Sequence, residues 1–120
     1  MTTHFTNAYG SAVSPAKDSR SAEAAVLGRI TGRMARAAGS PDSFPQLAAA
    51  LDDNRRFWGQ AAVDLAGDGN RLPQQVRVTL LGLAAFTERH TPKVLTGEVG
   101  IEPLIAINSA VIRGLSGEAA

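Results

Sequence analysis

The sequence contains no cysteine and few aromatic residues: one tryptophan, one tyrosine and four phenylalanines. The lack of cysteine excludes disulfides, thiolate nucleophiles and thiolate metal ligands, and it favours a reducing compartment. Only two histidines are present, His4 and His90, and neither has carboxylates at a spacing that would complete a tetrahedral metal site. We therefore expect no metal and no cofactor.

An excess of either charge is also lacking, because 12 Lys and Arg residues stand against 11 Asp and Glu residues, for a net charge of +1. Phosphate-backbone binding normally needs a basic surplus, so direct nucleic-acid binding is not expected. The longest apolar stretch, around residues 80–86, is far shorter than the roughly 20 residues that cross a bilayer. The first residues do not read as a signal peptide. These features predict a cytoplasmic protein without a membrane partner.

Catalytic motifs are lacking as well. The sequence has no nucleophile elbow, no phosphate-binding Walker loop and no dinucleotide fingerprint. His90 falls on the apolar side of a predicted helix, where a histidine that packs is more common than a catalytic base. We predict no catalytic residue, and a protein that acts by binding another protein instead of an enzyme.

Small aliphatic residues are abundant, and 44% of the chain is hydrophobic. A core built from Ala, Leu and Val favours closely packed helices, and 120 residues suit one domain. We predict an all-α fold, a small helical bundle of about four helices. Residues 1–14 are expected to form a flexible N-terminal arm, and residues 15–120 a single domain. Phe5 and Tyr9 of the arm are expected to dock locally by packing against the domain edge, with a binding role as the alternative.

The first two helices are predicted from apolar residues that recur every three or four positions. The first begins within residues 14–21 and stops at Gly39. The second begins with Ser43 and Gln46, whose spacing is typical of a capping box, and it ends near Gly67.

The last two helices follow a turn. Pro73 can start the third helix, and Pro92 should kink it before it resumes to about Thr96. Apolar residues nearly surround this third helix, so it is expected to be the most buried. The fourth helix runs from about Ile101 to Leu115.

Asn54 and Asn108 interrupt the apolar stripes of the second and fourth helices. A buried amide costs free energy unless it is hydrogen-bonded, so each needs partners. We predict structural roles for both, as a buried pair that satisfies backbone groups at a loop or helix end. Direct contact with a partner protein is the alternative.

The densest group of polar and aromatic residues is the run 52–58. Arg55 can belong to a solvated face, stabilised locally by pairing of Asp52 with Arg56, or to a recognition patch, since arginine is enriched among interface anchors. Trp58 is expected in the core.

Five segments of the sequence carry a resemblance to a known family: NAY at 7–9, FPQLAAALDDNRRFW at 44–58, GNRLPQQVR at 69–77, FTERHTPKVLTGE at 86–98 and LIAINSAVIRGL at 104–115. In this order and spacing they resemble the FlaF family of flagellar-biosynthesis proteins of alphaproteobacteria, over nearly the whole chain. Pro92 departs from the helix-compatible residue expected in the family.

The resemblance implies a cytoplasmic chaperone that binds flagellin and promotes its synthesis or export by the flagellar type III secretion system. The alternative is a post-transcriptional regulator that acts on flagellin mRNA, directly or through a partner protein. Other flagellar regulators or export components are further candidate partners. A groove between helices, most simply the third and fourth, would hold the client helix. The positions expected to contact the partner are Arg55, Arg56, Lys93, Val94, Ile107 and Arg113.

Overall fold

The computed structural model describes residues 14–40 and 42–115, and side chains from residue 21 onward. This part of the chain contains four α-helices and no strand, which confirms the predicted all-α bundle. The predicted N-terminal arm, with Phe5 and Tyr9, lies almost entirely outside the described residues. The helices are α1 (Ser14–Ala38), α2 (Phe44–Ala66), α3 (Gln74–Leu95) and α4 (Glu102–Leu115).

The helices do not surround α3. Helix α1 packs on α2 and α4, and α2 packs on α1 and α3, whereas α3 touches α4 only lightly. Because α3 has one main neighbour, its other sides face solvent, and Val76 and Val78 are 38% and 61% exposed. The prediction that the third helix is the most buried is therefore wrong. Helix α2, which packs between α1 and α3, contains the fully buried Leu51 and Leu65.

The core consists of two clusters, and the half-buried Phe57 packs against both. Complete burial of a Leu side chain stabilises the fold by about 1.5–3 kcal/mol, so these clusters supply most of the driving force for packing. The upper cluster holds Leu27, Trp58, Ala61, Leu65, Leu72, Leu80, Ala84, Val111 and Leu115. The lower cluster holds Ile30, Met34, Ala50, Leu51, Val94, Ile101 and Leu104.

The turn between α1 and α2 differs from the predicted capping box. The Ser43 hydroxyl makes no bond to the first turn of α2. Instead its Oγ lies 2.6 Å from the carbonyl oxygen of Ala37 and 2.7 Å from that of Ser40. The last carbonyls of a helix have no partner within the helix, and this short turn brings the hydroxyl to them first. Ser43 therefore stabilises the end of α1.

Helix α3 continues through Pro92, so the residues on both sides of the proline belong to one helix that ends at Leu95. A Schellman motif terminates it. Gly97 adopts φ 78°, the N–H of Glu98 donates to the Lys93 carbonyl at 2.8 Å, and the N–H of Gly97 donates to the Val94 carbonyl at 3.0 Å. The left-handed backbone conformation of Gly97 turns the chain towards α4.

Candidate functional site

Asn54 and Asn108 form a buried pair, as predicted, and they are 0% and 1% exposed. Asn108 Nδ2 donates to Asn54 Oδ1 at 2.8 Å and to Thr31 Oγ1 at 3.0 Å, and Asn108 Oδ1 accepts from Trp58 Nε1 at 3.0 Å. The predicted backbone partners are wrong, because Asn108 bonds to side chains of α1 and α2, and Asn54 bonds to the side chain of Asn108. We call Thr31, Asn54, Trp58 and Asn108 the buried polar network. It ties α1, α2 and α4 together and offers almost no surface to a partner.

The buried polar network positions a groove between α2 and α3, which we call the α2–α3 groove. Its volume is about 320 Å³. Trp58, held by Asn108, lies at its base with 1% of its surface exposed. Several of its lining residues are glycine or alanine, so the helix backbones lie close to the surface of the groove. The lining residues are Arg55, Trp58, Gly59 and Ala62 of α2 and Leu81, Ala84, Ala85, Thr87 and Glu88 of α3.

A salt bridge marks one end of the α2–α3 groove. Arg55 donates from Nε to Glu88 Oε1 at 3.1 Å and from Nη2 to Glu88 Oε2 at 2.5 Å, which is a bidentate pair between the two helices. The hydrogen bond from Arg55 lowers the pKa of Glu88, and the same bond raises the pKa of Arg55. Because both side chains are about half exposed, solvent screens the pair and its main effect is to fix the two side chains in place.

Arg56 has a different ion-pair partner from Arg55. Its Nε pairs with Asp52 at 3.0 Å, the local i, i+4 pair expected from the sequence, and 78% of its side-chain surface is exposed. Such an exposed pair contributes only about 0.3–0.5 kcal/mol. Arg55 pairs towards α3 and Arg56 pairs along α2, and both arginines line one shallow hollow with Asp52 and Glu88.

The structure does not bring the other expected contact residues to this groove. Val94 packs in the lower core cluster, 9% exposed, and Ile107 is half-buried against the upper cluster. Lys93 and Arg113 are exposed in the last turns of α3 and α4. Contact of these four with a partner stays a prediction.

The small residues of this groove were not predicted from the sequence. The expected groove between α3 and α4 stays a prediction, because those two helices touch only lightly and the groove described above lies between α2 and α3. Gly59 and Ala62, three residues apart on α2, line the groove opposite Ala84 and Ala85 of α3. The available signal was this spacing of small residues, which periodicity alone merges with the apolar stripes. Which stripes face each other depends on the tertiary packing.

His90 is a half-buried packing residue, as predicted. Its ring stacks on Phe86 with centroids 4.8 Å apart, and Nε2 lies 2.8 Å from the Gly100 carbonyl oxygen. Within residues 14–40 and 42–115, no group of three or more His, Asp or Glu side chains is placed to hold a metal ion. None of the described helices is long and apolar enough to span a membrane.

The fold and the groove define a small helical bundle with an apolar furrow on its outside. A family model described as flagellar protein FlaF matches residues 5–115. The chain belongs to the FlaF family of flagellar proteins. No curated protein and no solved structure matches the chain.

Proposed function

We propose that this protein is a cytoplasmic chaperone that binds flagellin and promotes its synthesis or export by the flagellar type III secretion system. The α2–α3 groove would hold an amphipathic helix of flagellin. Membership of the FlaF family supports the flagellar role. The observation that carries the proposal is an apolar groove on the outside of the bundle, in addition to the buried core clusters that hold the helices together.

Binding would be driven by burial of the apolar face of an amphipathic helix in a hydrophobic groove. A flagellin monomer that awaits export has amphipathic segments whose apolar faces find their partners only in the filament. A groove of about 320 Å³ accepts a few apolar side chains, the i, i+3 or i+4 anchors of one helix. Because Gly59 and Ala62 have no bulky side chain, the backbone of a client helix could approach α2 closely.

Exposed valines extend the apolar surface beyond the groove. Val63 follows Gly59 by four residues on α2, and Val78 precedes Leu81 by three on α3, so each lies one helical turn from a lining residue. Their side chains are 65% and 61% exposed. A client helix of several turns could therefore bury apolar surface beyond the groove, while the Arg55–Glu88 pair supplies a polar edge.

The test is the binding of purified flagellin from the same organism, measured by calorimetry and by co-elution. The informative variant is Gly59→Leu, because a Cβ at Gly59 meets no atom within 4 Å and the new side chain would fill the α2–α3 groove. Gly82→Leu is the matched control, since Gly82 also has open space but does not line the groove.

Both substitutions replace a helical glycine and should stabilise the fold by roughly 0.5–1 kcal/mol. We expect Gly59→Leu to weaken flagellin binding at least tenfold (about 1.4 kcal/mol) and Gly82→Leu to leave it unchanged. A wild-type protein that shows neither heat nor co-elution at tens of micromolar, about the limit of these methods, contradicts the chaperone proposal. Salt-sensitive retention of flagellin leader RNA on filters would favour the regulator instead.

A further inference from the structure

A second groove lies on the side of α2 away from α3, and α1 forms its other wall. It consists of two adjoining hollows of about 420 and 330 Å³ that share Arg33. We call it the α1–α2 groove. Its two properties, a basic rim and an apolar floor, determine what it can bind.

The rim carries four arginines. Arg29, Arg33 and Arg36 follow one another at i, i+4 and i+7, so they share one face of α1, and Arg56 joins them from α2. This concentration is local, because the whole chain has a net charge of only +1.

Two of the four arginines have carboxylate partners and two do not. Arg33 Nη1 pairs with Asp53 at 2.8 Å, and Arg56 pairs with Asp52. Arg29 and Arg36 make no ion pair with any residue that the structure describes. The Arg36 guanidinium folds back over Gly32, where a Cβ would lie 3.3 Å from its Nη1. The groove therefore presents two uncompensated positive charges.

Asp53 already neutralises Arg33, and Arg36 lies in the last turn of α1, where a positive charge is favourable. Arg29 and Arg36 are therefore the two arginines of the row that carboxylates of a bound partner could pair with.

The floor of the α1–α2 groove is apolar. Val26 is 38% exposed, and Ile30 and Phe57 lie beside it. Ala37 and Ala49 continue the floor into the second hollow. A phosphate backbone would match the rim and leave this floor uncovered. A protein segment that alternates apolar and acidic side chains at helical spacing matches both.

We propose that the α1–α2 groove binds an acidic amphipathic helix of a partner protein. Glutamates or aspartates along the helix pair with Arg29 and Arg36, and its aliphatic side chains cover Val26 and the half-buried Phe57. This surface is separate from the α2–α3 groove, so the proposal does not depend on flagellin binding there.

The probe is a fluorescein-labelled helical peptide of about 18 residues, roughly 27 Å long, with leucines at i, i+3, i+4 and i+7 and glutamates beside them. A second peptide has glutamine at every glutamate position. Fluorescence anisotropy measures binding to the full-length protein at low and high salt. We expect the acidic peptide to bind at least about tenfold more tightly than the glutamine peptide, and high salt to reduce the difference.

The protein variant combines Arg29→Glu with Arg36→Glu. Its control combines Arg71→Glu with Arg89→Glu, which changes the net charge equally at exposed arginines that do not line the groove. The groove variant should lose acidic-peptide binding at least about tenfold, whereas the control should stay within about twofold of wild type. Flagellin binding should survive in the groove variant, and peptide binding should survive in Gly59→Leu, which separates this proposal from the chaperone proposal.

Several results would overturn the inference. They are equal binding of the two peptides, no binding of either, and equal losses in the groove variant and its control. Tighter binding of a labelled poly(U) oligonucleotide than of the acidic peptide, lost in the groove variant, would assign the surface to nucleic acid instead.

Discussion

Replacement of Asn108 by leucine tests the buried polar network most directly. Asn108 makes three side-chain hydrogen bonds at 1% exposure. Leucine has a similar size, so little cavity forms, but the Trp58 indole N–H and the Asn54 carbonyl lose their partner. Thr31 keeps one, because its hydroxyl also bonds the Leu27 carbonyl at 2.7 Å. Two orphaned buried groups at about 1–3 kcal/mol each predict a loss of about 2–6 kcal/mol.

The assay is urea unfolding followed by circular dichroism, which works with or without Trp58. A loss of this size is a large share of the roughly 5–15 kcal/mol typical of a domain. Asn54→Leu should cost less than Asn108→Leu, because Asn54 Nδ2 has no hydrogen-bond partner among the described residues and Asn108 can still donate to Thr31.

A double-mutant cycle isolates the indole hydrogen bond. Trp58→Phe removes the donor, so its effect and that of Asn108→Leu should not add, and we expect a coupling free energy of about 0.5–3 kcal/mol. A loss below about 1 kcal/mol for Asn108→Leu, or strict additivity of the two changes, would show that the network contributes little to the free energy of unfolding.

Three further changes test local features. Pro92→Ala should raise the free energy of unfolding by about 1–3 kcal/mol, because proline inside a helix lacks a donor and clashes with the preceding turn, and a lower melting temperature would contradict this. Ser43→Ala should lower it by about 0.5–1.5 kcal/mol in urea unfolding, through loss of the bond to the α1 carbonyls, and no change would argue against that bond. Glu88→Gln should weaken stability at neutral pH only. Arg55 lowers the pKa of Glu88 below its ordinary 4.5, so the pair stabilises the fold above that value and its contribution disappears as pH falls through the lowered pKa. Equal effects at neutral and strongly acidic pH in urea unfolding would refute the ion-pair explanation.

Periodicity and turn residues predict the helices closely. The end of α1 before Gly39, the Pro45 start of α2 and the end of α4 at Leu115 lie within about a residue of their predicted places. These features are local, since each depends on residues a few positions apart. Gly97 was the missed local signal, because a glycine after the last apolar turn of α3 is the usual sign of a Schellman motif.

What depends on distant residues could not be predicted in the same way. The amides of Asn54 and Asn108 had to be buried with partners, but those partners lie on other helices. The burial of α3 depends on how many helices lie beside it, which its own apolar residues do not indicate. The family motif likewise places Arg55 and Arg56 side by side in sequence, but only the tertiary packing gives Arg55 a partner on α3, while Arg56 pairs with Asp52 of its own helix.

Helix α2 is the common wall of both grooves, and its 23 residues give each groove a separate side of one cylinder. The two grooves share no lining residue, so two partner segments could bind to α2 at the same time. If both proposals hold, flagellin would lie against one side of α2 and the acidic helix of the second partner against the other. The hydrogen bond from Trp58 to Asn108 of α4 would hold α2 in position when either partner binds or dissociates.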